Sequence, residues 1–180
     1  MREIIIPAHI LAETTLDQLY SNTVSSFATD RQQNQARVQV VDKTFIPAPG
    51  NRLVRVKATT RSSAKNYETR MAFTEVVYLD DEEDATLNNQ AVTFTAPDEQ
   101  TYMIEPIQYR GTDVRVSCSC LDFYYRFAAW NAGDGSLLGN SPPPYVKKTD
   151  SEPVNPNRVP GLCKHLMALT NELRRERIIR

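Results

Sequence analysis

The sequence predicts an α+β protein in which an N-terminal helix and an antiparallel β-sheet occupy residues 1–112, and a smaller module over residues 113–180 ends in an α-helix. The spacing of the apolar residues changes twice along the chain, and these changes support the prediction. Apolar residues recur with helical spacing near residue 20, with period two from residue 37 to residue 118, and again with helical spacing after residue 162. A core shared by the two parts is compatible with this division.

The composition is that of an ordinary globular protein. The chain has 180 residues, of which 41% are hydrophobic and 24% charged, and its net charge is −1. There is thus no global basic field that would drive binding to phosphates. No run approaches the roughly 18 apolar residues of a membrane helix, and the first apolar run is too short for a signal peptide. We expect a non-secreted protein without membrane contact.

The first predicted element is an amphipathic helix over about residues 15–28. Thr15 and Gln18 form the T-x-x-Q pattern of a capping box at its start. The apolar residues that follow at helical spacing are Leu16, Leu19, Tyr20, Val24 and Phe27. We expect this helix to pack on the sheet.

Six β-strands are predicted next, because segments rich in Val, Thr, Tyr, Phe and Ile alternate with Pro, Gly, Asn and Asp. Short connections between them favour antiparallel pairing. The predicted strands cover residues 37–41, 53–60, 69–79, 91–96, 101–109 and 113–118.

Two helices and a proline-rich insert are predicted after the strands. Phe123, Phe127 and Trp130 share one helical face, which indicates core packing more than stacking on nucleic-acid bases. Residues 131–161 contain six of the eleven prolines and predict a long segment with little regular structure. A final helix over about residues 162–177 has an apolar stripe at Leu162, Leu166, Leu169 and Leu173.

All cysteines of the chain and one of its two histidines form a single spaced pattern. Cys118 and Cys120 give C-x-C, and Cys163 and His165 give C-x-H after 42 intervening residues. Alternation along a strand would place Cys118 and Cys120 on one face. Helix geometry would separate Cys163 from His165 by about 200°, so the two can converge only if Cys163 lies at or before the first turn.

Three thiolates and one imidazole make a complete tetrahedral ligand set, for which zinc is the expected ion. A closed site of this kind is structural, because no position remains for water or substrate. The alternative is three buried free cysteines and an unrelated histidine, since cysteine is a common core residue. An odd number of cysteines cannot pair fully as disulfides, which favours assembly in a reducing compartment.

The sequence around these residues resembles the SWIM zinc finger. The resemblance rests on VSCSC at 116–120 and LCKHLMAL at 162–169. It implies C-x-C on a β-hairpin, C-x-H opening a helix, and zinc ligation by Cys118, Cys120, Cys163 and His165. The chain departs from the family in its far longer spacer.

A wider stretch is similar to small virion structural proteins of large tailed bacteriophages. It includes YET at 67–69, CLDF at 120–123, PPYVKKT at 143–149 and NPNRVPG at 155–161. The resemblance implies a structural component of a capsid, neck, tail or baseplate, assembled in the host cytoplasm, with neighbouring virion proteins as partners. No enzyme motif of the G-x-S-x-G, P-loop or H-E-x-x-H kind occurs, and we expect neither an enzyme nor a small-molecule substrate.

A locally basic stretch leaves a second function open. Its members are Arg52, Arg55, Lys57, Arg61, Lys65 and Arg70, and Lys147, Lys148 and Arg158 of the proline-rich insert could join them. A solvated sheet face is the simpler interpretation, and a face that contacts phosphates is the alternative. The alternative function is therefore a nucleic-acid-binding zinc protein. A metal-dependent or thiol enzyme is the third and least expected class.

Overall fold

The computed structural model describes residues 14–27, 37–79, 91–143, 145–146, 148–150 and 152–180. In chain order its helices and strands are α1 (Leu16–Ser26), β1 (Val38–Ala48), β2 (Leu53–Ser62), β3 (Lys65–Phe73), β4 (Tyr78–Leu79), β5 (Val92–Thr95), β6 (Thr101–Ile104), β7 (Val114–Cys118), α2 (Leu121–Arg126), α3 (Ala128–Asp134) and α4 (Lys164–Arg175). The mixed α and β composition with antiparallel pairing and a C-terminal helix is confirmed.

The strands form two antiparallel sheets instead of one. The larger sheet has the order β1-β2-β3-β7, and the smaller has the order β4-β6-β5. The two are joined where the Tyr78 hydroxyl donates to the Leu53 carbonyl at 2.7 Å and where the Phe45 and Phe94 rings stack at 4.9 Å. β7 lies beside β3, so residues on either side of the expected boundary at 112 belong to one sheet.

Strand bounds differ from the sequence prediction where proline or a polar hairpin obscured them. β1 continues through Pro47, which is tolerated because β1 is an edge strand. β3 begins at Lys65 as part of a two-residue hairpin with β2, although its first residues are polar. The predicted strand 101–109 ends at Ile104, just before Pro106. The predicted strand 69–79 is divided between β3 and β4, with Glu75 in the left-handed region at φ 56°.

The first helix begins with the expected capping box, because Thr15 Oγ1 accepts from Gln18 N and Gln18 Oε1 accepts from Thr15 N. It ends at Ser26, and residue 28 lies outside the described residues. Its hydrogen bonds lead to Tyr109, whose carbonyl accepts from Asp17 N at 3.2 Å, and to residues 160–162, as with Asn22 Nδ2 donating to the Pro160 carbonyl at 3.1 Å. Packing of this helix on the sheet as we expected is therefore not confirmed.

The core lies between the larger sheet and α4, which packs against β1, β2, β3 and β7. One continuous set of buried side chains includes residues from α1, both sheets and all three C-terminal helices. The predicted aromatic helix is divided at Phe127 into α2 and α3. Within the described ranges no helix is long and apolar enough to cross a membrane.

Candidate metal centre

Cys118 and Cys120 are brought together by the end of a strand and the extended residues that follow it. Cys118 is the last residue of β7 and faces the core. Ser119 turns outward, where its N–H donates to the Glu68 carbonyl and its Oγ accepts from Glu68 N, both at 2.9 Å. Cys120 then caps α2, its Sγ accepting from Phe123 N at 3.3 Å. Cys118 and Cys120 are buried on either side of the exposed Ser119, as alternation along a strand predicts, and the two sulfurs converge.

Cys163 and His165 converge because the helix begins between them. Cys163 is the N-cap of α4, with extended backbone angles of φ −74° and ψ 165°, and His165 is the second residue of the helix. This is the arrangement that the two-residue spacing requires, since both residues could not face one point within a regular helix.

The four predicted side chains lie together in the interior. Their nearest ligand atoms are all within 4.8 Å of one another. Nδ1 of His165 is 3.9 Å from the sulfur of Cys118 and 3.9 Å from the sulfur of Cys163. The four residues are 1–9% exposed. The cluster could hold a metal ion with two ligands from each of two distant segments.

The three thiols influence one another's ionisation. Hydrogen bonds from Cys118 and Cys163, with further help from the Phe123 N–H, hold the pKa of Cys120 far below its ordinary value. The hydrogen bond to Cys120 raises the pKa of Cys118. Burial raises the pKa of Cys163, and its two neighbours raise it further. Without a cation, burial and the neighbouring thiols therefore oppose the ionisation of all three cysteines together, whereas a divalent ion would stabilise three thiolates.

The His165 ring is oriented by packing. Tyr67 of β3 lies against it with ring centroids 4.3 Å apart. Nδ1 is the candidate ligand atom because it lies 3.9 Å from two of the sulfurs, whereas Nε2 is buried without a hydrogen-bond partner in the described part of the chain. Asp122, which could have accepted from this ring, instead pairs with Arg126 Nη1 at 2.7 Å. Burial raises the pKa of Asp122 despite that ion pair.

Two buried polar residues fix the backbone just before Cys163, and we call Thr23 and Asn131 the Gly161 clamp. The Asn131 amide accepts from Gly161 N at 2.9 Å and donates to the Gly161 carbonyl at 3.2 Å. Thr23 Oγ1 accepts from Leu162 N at 2.8 Å and lies 3.2 Å from the Leu162 carbonyl. The clamp thus satisfies both polar groups of Gly161 and the N–H of Leu162, while the one hydroxyl proton of Thr23 lies between the Leu19 carbonyl at 3.0 Å and the Leu162 carbonyl at 3.2 Å.

Gly161 is required by the closeness of this contact. A Cβ at residue 161 would lie 2.6 Å from Thr23 Oγ1 and 2.7 Å from Cε1 of Phe127. Phe127 cannot easily move, because its ring is buried and packs edge-on against Phe27 at 5.3 Å. Only glycine lets the chain pass between α1 and α3 on its way to Cys163.

The end of the proline-rich insert is fixed by a further buried amide. Asn155 Nδ2 donates to the carbonyls of Arg126 and Val159 at 2.9 and 2.8 Å, and its Oδ1 accepts from Val159 N at 3.2 Å. Arg126 Nε in turn donates to the Val154 carbonyl at 3.2 Å. The insert therefore returns to α2, the helix that precedes the one from which it departs.

The sequence analysis missed the clamp, although a signal was present. Leu16, Leu19, Thr23 and Phe27 are the inward positions of α1, and Val24, which we expected to face inward, is exposed. Asn131 likewise follows Phe123 and Phe127 at helical spacing. A polar residue at a core-facing position indicates a buried hydrogen bond.

The basic residues expected from the sequence are divided among several places. Arg55, Lys57, Arg61 and Arg70 lie on the exposed side of the larger sheet. Arg52 is in a turn and pairs with Glu75 at 2.6 Å, Lys65 begins β3, and Arg158 lies over the Trp130 ring. Lys147 lies outside the described residues.

Comparison with known proteins gives no match to a protein-family model, a curated protein or a solved structure.

Proposed function

We propose that Cys118, Cys120, Cys163 and His165 bind one structural Zn²⁺ in a SWIM-like module. The observation that carries this proposal is the convergence of four candidate ligand atoms within 4.8 Å. Zn–S bonds of about 2.3 Å and a Zn–N bond of about 2.0 Å in a tetrahedron place sulfurs about 3.8 Å apart and sulfur and nitrogen about 3.5 Å apart. The two sulfur–Nδ1 distances of 3.9 Å are close to that geometry.

Ligand number and burial favour a structural ion. Four protein ligands complete a tetrahedron, and 1–9% exposure of the four residues leaves little access for water or substrate. Closing the 42-residue connection between Cys120 and Cys163 costs about 3 kcal/mol of chain entropy. Structural zinc sites contribute about 10–16 kcal/mol, so the ion is sufficient to hold the ends of the insert together.

We further propose that the protein is a structural component of a tailed-phage particle that binds neighbouring subunits. Support comes from the sequence resemblance and from large apolar side chains left exposed beside the insert. These are Leu121, Tyr124, Tyr125, Tyr145 and Val146, the last with 78% exposure. Clustered exposed apolar residues are typical of surfaces that bind another protein, and proline-rich segments lose little entropy when a partner orders them.

The zinc proposal is tested by elemental analysis of the purified protein and of Cys163→Ser. We expect one zinc per chain in the wild type and loss of zinc together with a lower melting temperature in the variant. Lys164→Ala is the matched control, because it changes the residue between the two ligands and removes no donor. A metal-free wild type, or equal zinc content in Cys163→Ser, would refute the site.

The assembly proposal is tested separately, by quantitative mass spectrometry of purified particles. The chain should be present at a fixed ratio to the major capsid protein through successive density gradients. Loss of the chain during purification would contradict a structural role while leaving the zinc proposal intact.

A further inference from the structure

The exposed side of the larger sheet carries a concentrated positive charge. Alternation along β2, β3 and β7 turns five cations to this side, and we call them the basic sheet face: Arg55, Lys57, Arg61, Arg70 and Arg115. All five are exposed, whereas Val54, Val56, Met71 and Val114 on the opposite side are buried in the core. Arg115 did not belong to the basic stretch seen in the sequence, because only the pairing of β7 with β3 brings it there.

The register arranges these cations in rows. Arg55, Ala72 and Arg115 are consecutive cross-strand partners, and the next row contains Lys57, Arg70 and Ser117. Neighbouring strands are about 4.8 Å apart and alternate residues along a strand about 7 Å apart. Ala72, between Arg55 and Arg115 in the first row, is small and only 4% exposed, so the exposed groups of that row are the two arginines. The result is a regular basic surface across three strands.

The acidic residues on this side compensate only part of the charge. Glu68 pairs with Lys57 at 2.8 Å and also with Arg70, and the hydrogen bond from Lys57 is the main reason why the pKa of Glu68 is lowered. Asp42 lies on the edge strand β1. Among the described residues Arg55 and Arg115 form no ion pair, and Arg61 donates to the Asn66 amide at 3.0 Å. Five cations and two carboxylates leave a local charge of +3 on a chain whose net charge is −1.

We propose that the basic sheet face binds the phosphate backbone of double-stranded DNA. Guanidinium groups bind phosphate oxygens in a bidentate manner, and most protein–DNA hydrogen bonds are made to the backbone. Thr44, Thr59 and Ser117 add neutral hydroxyls to the same side. The described outward positions of β2, β3 and β7 contain no aromatic side chain, so the base stacking that holds single strands has no platform here.

This interaction is separate from the metal centre. Arg115 and Ser117 point away from the core, whereas Cys118 at the end of the same strand points into it. Binding is expected to be independent of DNA sequence, because the contacts are to phosphates. Failure of the zinc proposal would leave the basic sheet face in place.

The test is fluorescence anisotropy of a labelled 24-base-pair duplex with the zinc-loaded chain between 50 and 200 mM KCl. With about four phosphate contacts, affinity should fall about 100-fold over this range. In Arg55→Gln/Arg115→Gln only about two contacts remain, and the fall should be about 10-fold. Arg55→Lys/Arg115→Lys retains both charges and should retain most of the salt dependence.

The control is Lys148→Gln/Arg177→Gln, which removes the same charge from exposed positions outside the strands and should behave as the wild type. Absence of duplex binding at 50 mM salt would overturn the proposal. So would equal weakening by the two Gln pairs, which indicates a general charge effect. Tighter binding of a single strand of equal length, or of poly-glutamate, would assign the face to a different partner and would also overturn it.

Discussion

Gly161→Ala places a methyl group where the chain passes between α1 and α3. The new Cβ would meet Thr23 Oγ1 at 2.6 Å and Phe127 Cε1 at 2.7 Å, and both neighbours are buried. Overpacking of this kind costs about 1–3 kcal/mol. Displacing the backbone at residue 161 by even a few tenths of an ångström also weakens the hydrogen bonds between Gly161 and Asn131. A buried polar group that loses its partner costs about 1–3 kcal/mol.

The sum is a destabilisation of about 2–6 kcal/mol. For a chain of this size it corresponds to a melting temperature lower by about 4–24 °C. The assay is urea unfolding of the zinc-loaded protein followed by circular dichroism, with thermal melts in parallel. Because residue 161 lies two positions before Cys163, we also expect faster transfer of zinc to a chromogenic chelator.

Gly133→Ala is the matched control. Gly133 lies within α3, and a Cβ at this position has no atom within 4 Å. Alanine in a helix is favoured over glycine by about 1 kcal/mol, so this variant should be as stable as the wild type or more so. If Gly161→Ala and Gly133→Ala unfold at the same urea concentration, the close passage that we describe does not exist.

Three further predictions follow from the same structure. Thr15→Ala removes the capping box of α1 and should destabilise the protein by about 1 kcal/mol in urea unfolding, whereas Gln100→Ala, in an exposed turn, should have no effect. Because a zinc-bound cysteine is a thiolate and the raised pKa values of Cys118 and Cys163 oppose their ionisation, zinc binding should release protons from the cluster. The zinc affinity should therefore fall as the pH decreases below neutrality; chelator competition across pH measures this, and an affinity independent of pH would contradict thiolate ligation. Removal of zinc by EDTA should lower the melting temperature of the wild type and leave that of Cys163→Ser unchanged, as measured by circular dichroism.

The cluster of four candidate ligands could be predicted from the sequence because its members are all the cysteines and a histidine at a fixed spacing, and their convergence then requires Cys163 to precede the first turn of α4. The strands were also foreseeable, since alternation is a local property. The division into two sheets depends on which distant strands pair, and the hairpin at Ser62 and Lys65 gives no sign that β7 will lie beside β3. Pro47 shortened the predicted first strand, because the sequence does not reveal which strand lies at an edge.

The Gly161 clamp and the metal centre both close the same connection, and the coupling between them can be measured. If the clamp positions Cys163 before the ion binds, Asn131→Ala should destabilise the zinc-loaded protein more than the metal-free protein, because the metal-free chain can release residues 160–162 at little cost. By linkage, the difference between these two losses of unfolding free energy equals the change in the free energy of zinc binding. A difference of about 1.4 kcal/mol therefore weakens zinc binding about tenfold. Equal destabilisation of the two forms, with an unchanged dissociation constant, would mean that the clamp stabilises the fold without preparing the site. The insert would then depend on two independent closures, and loss of zinc alone would not release it.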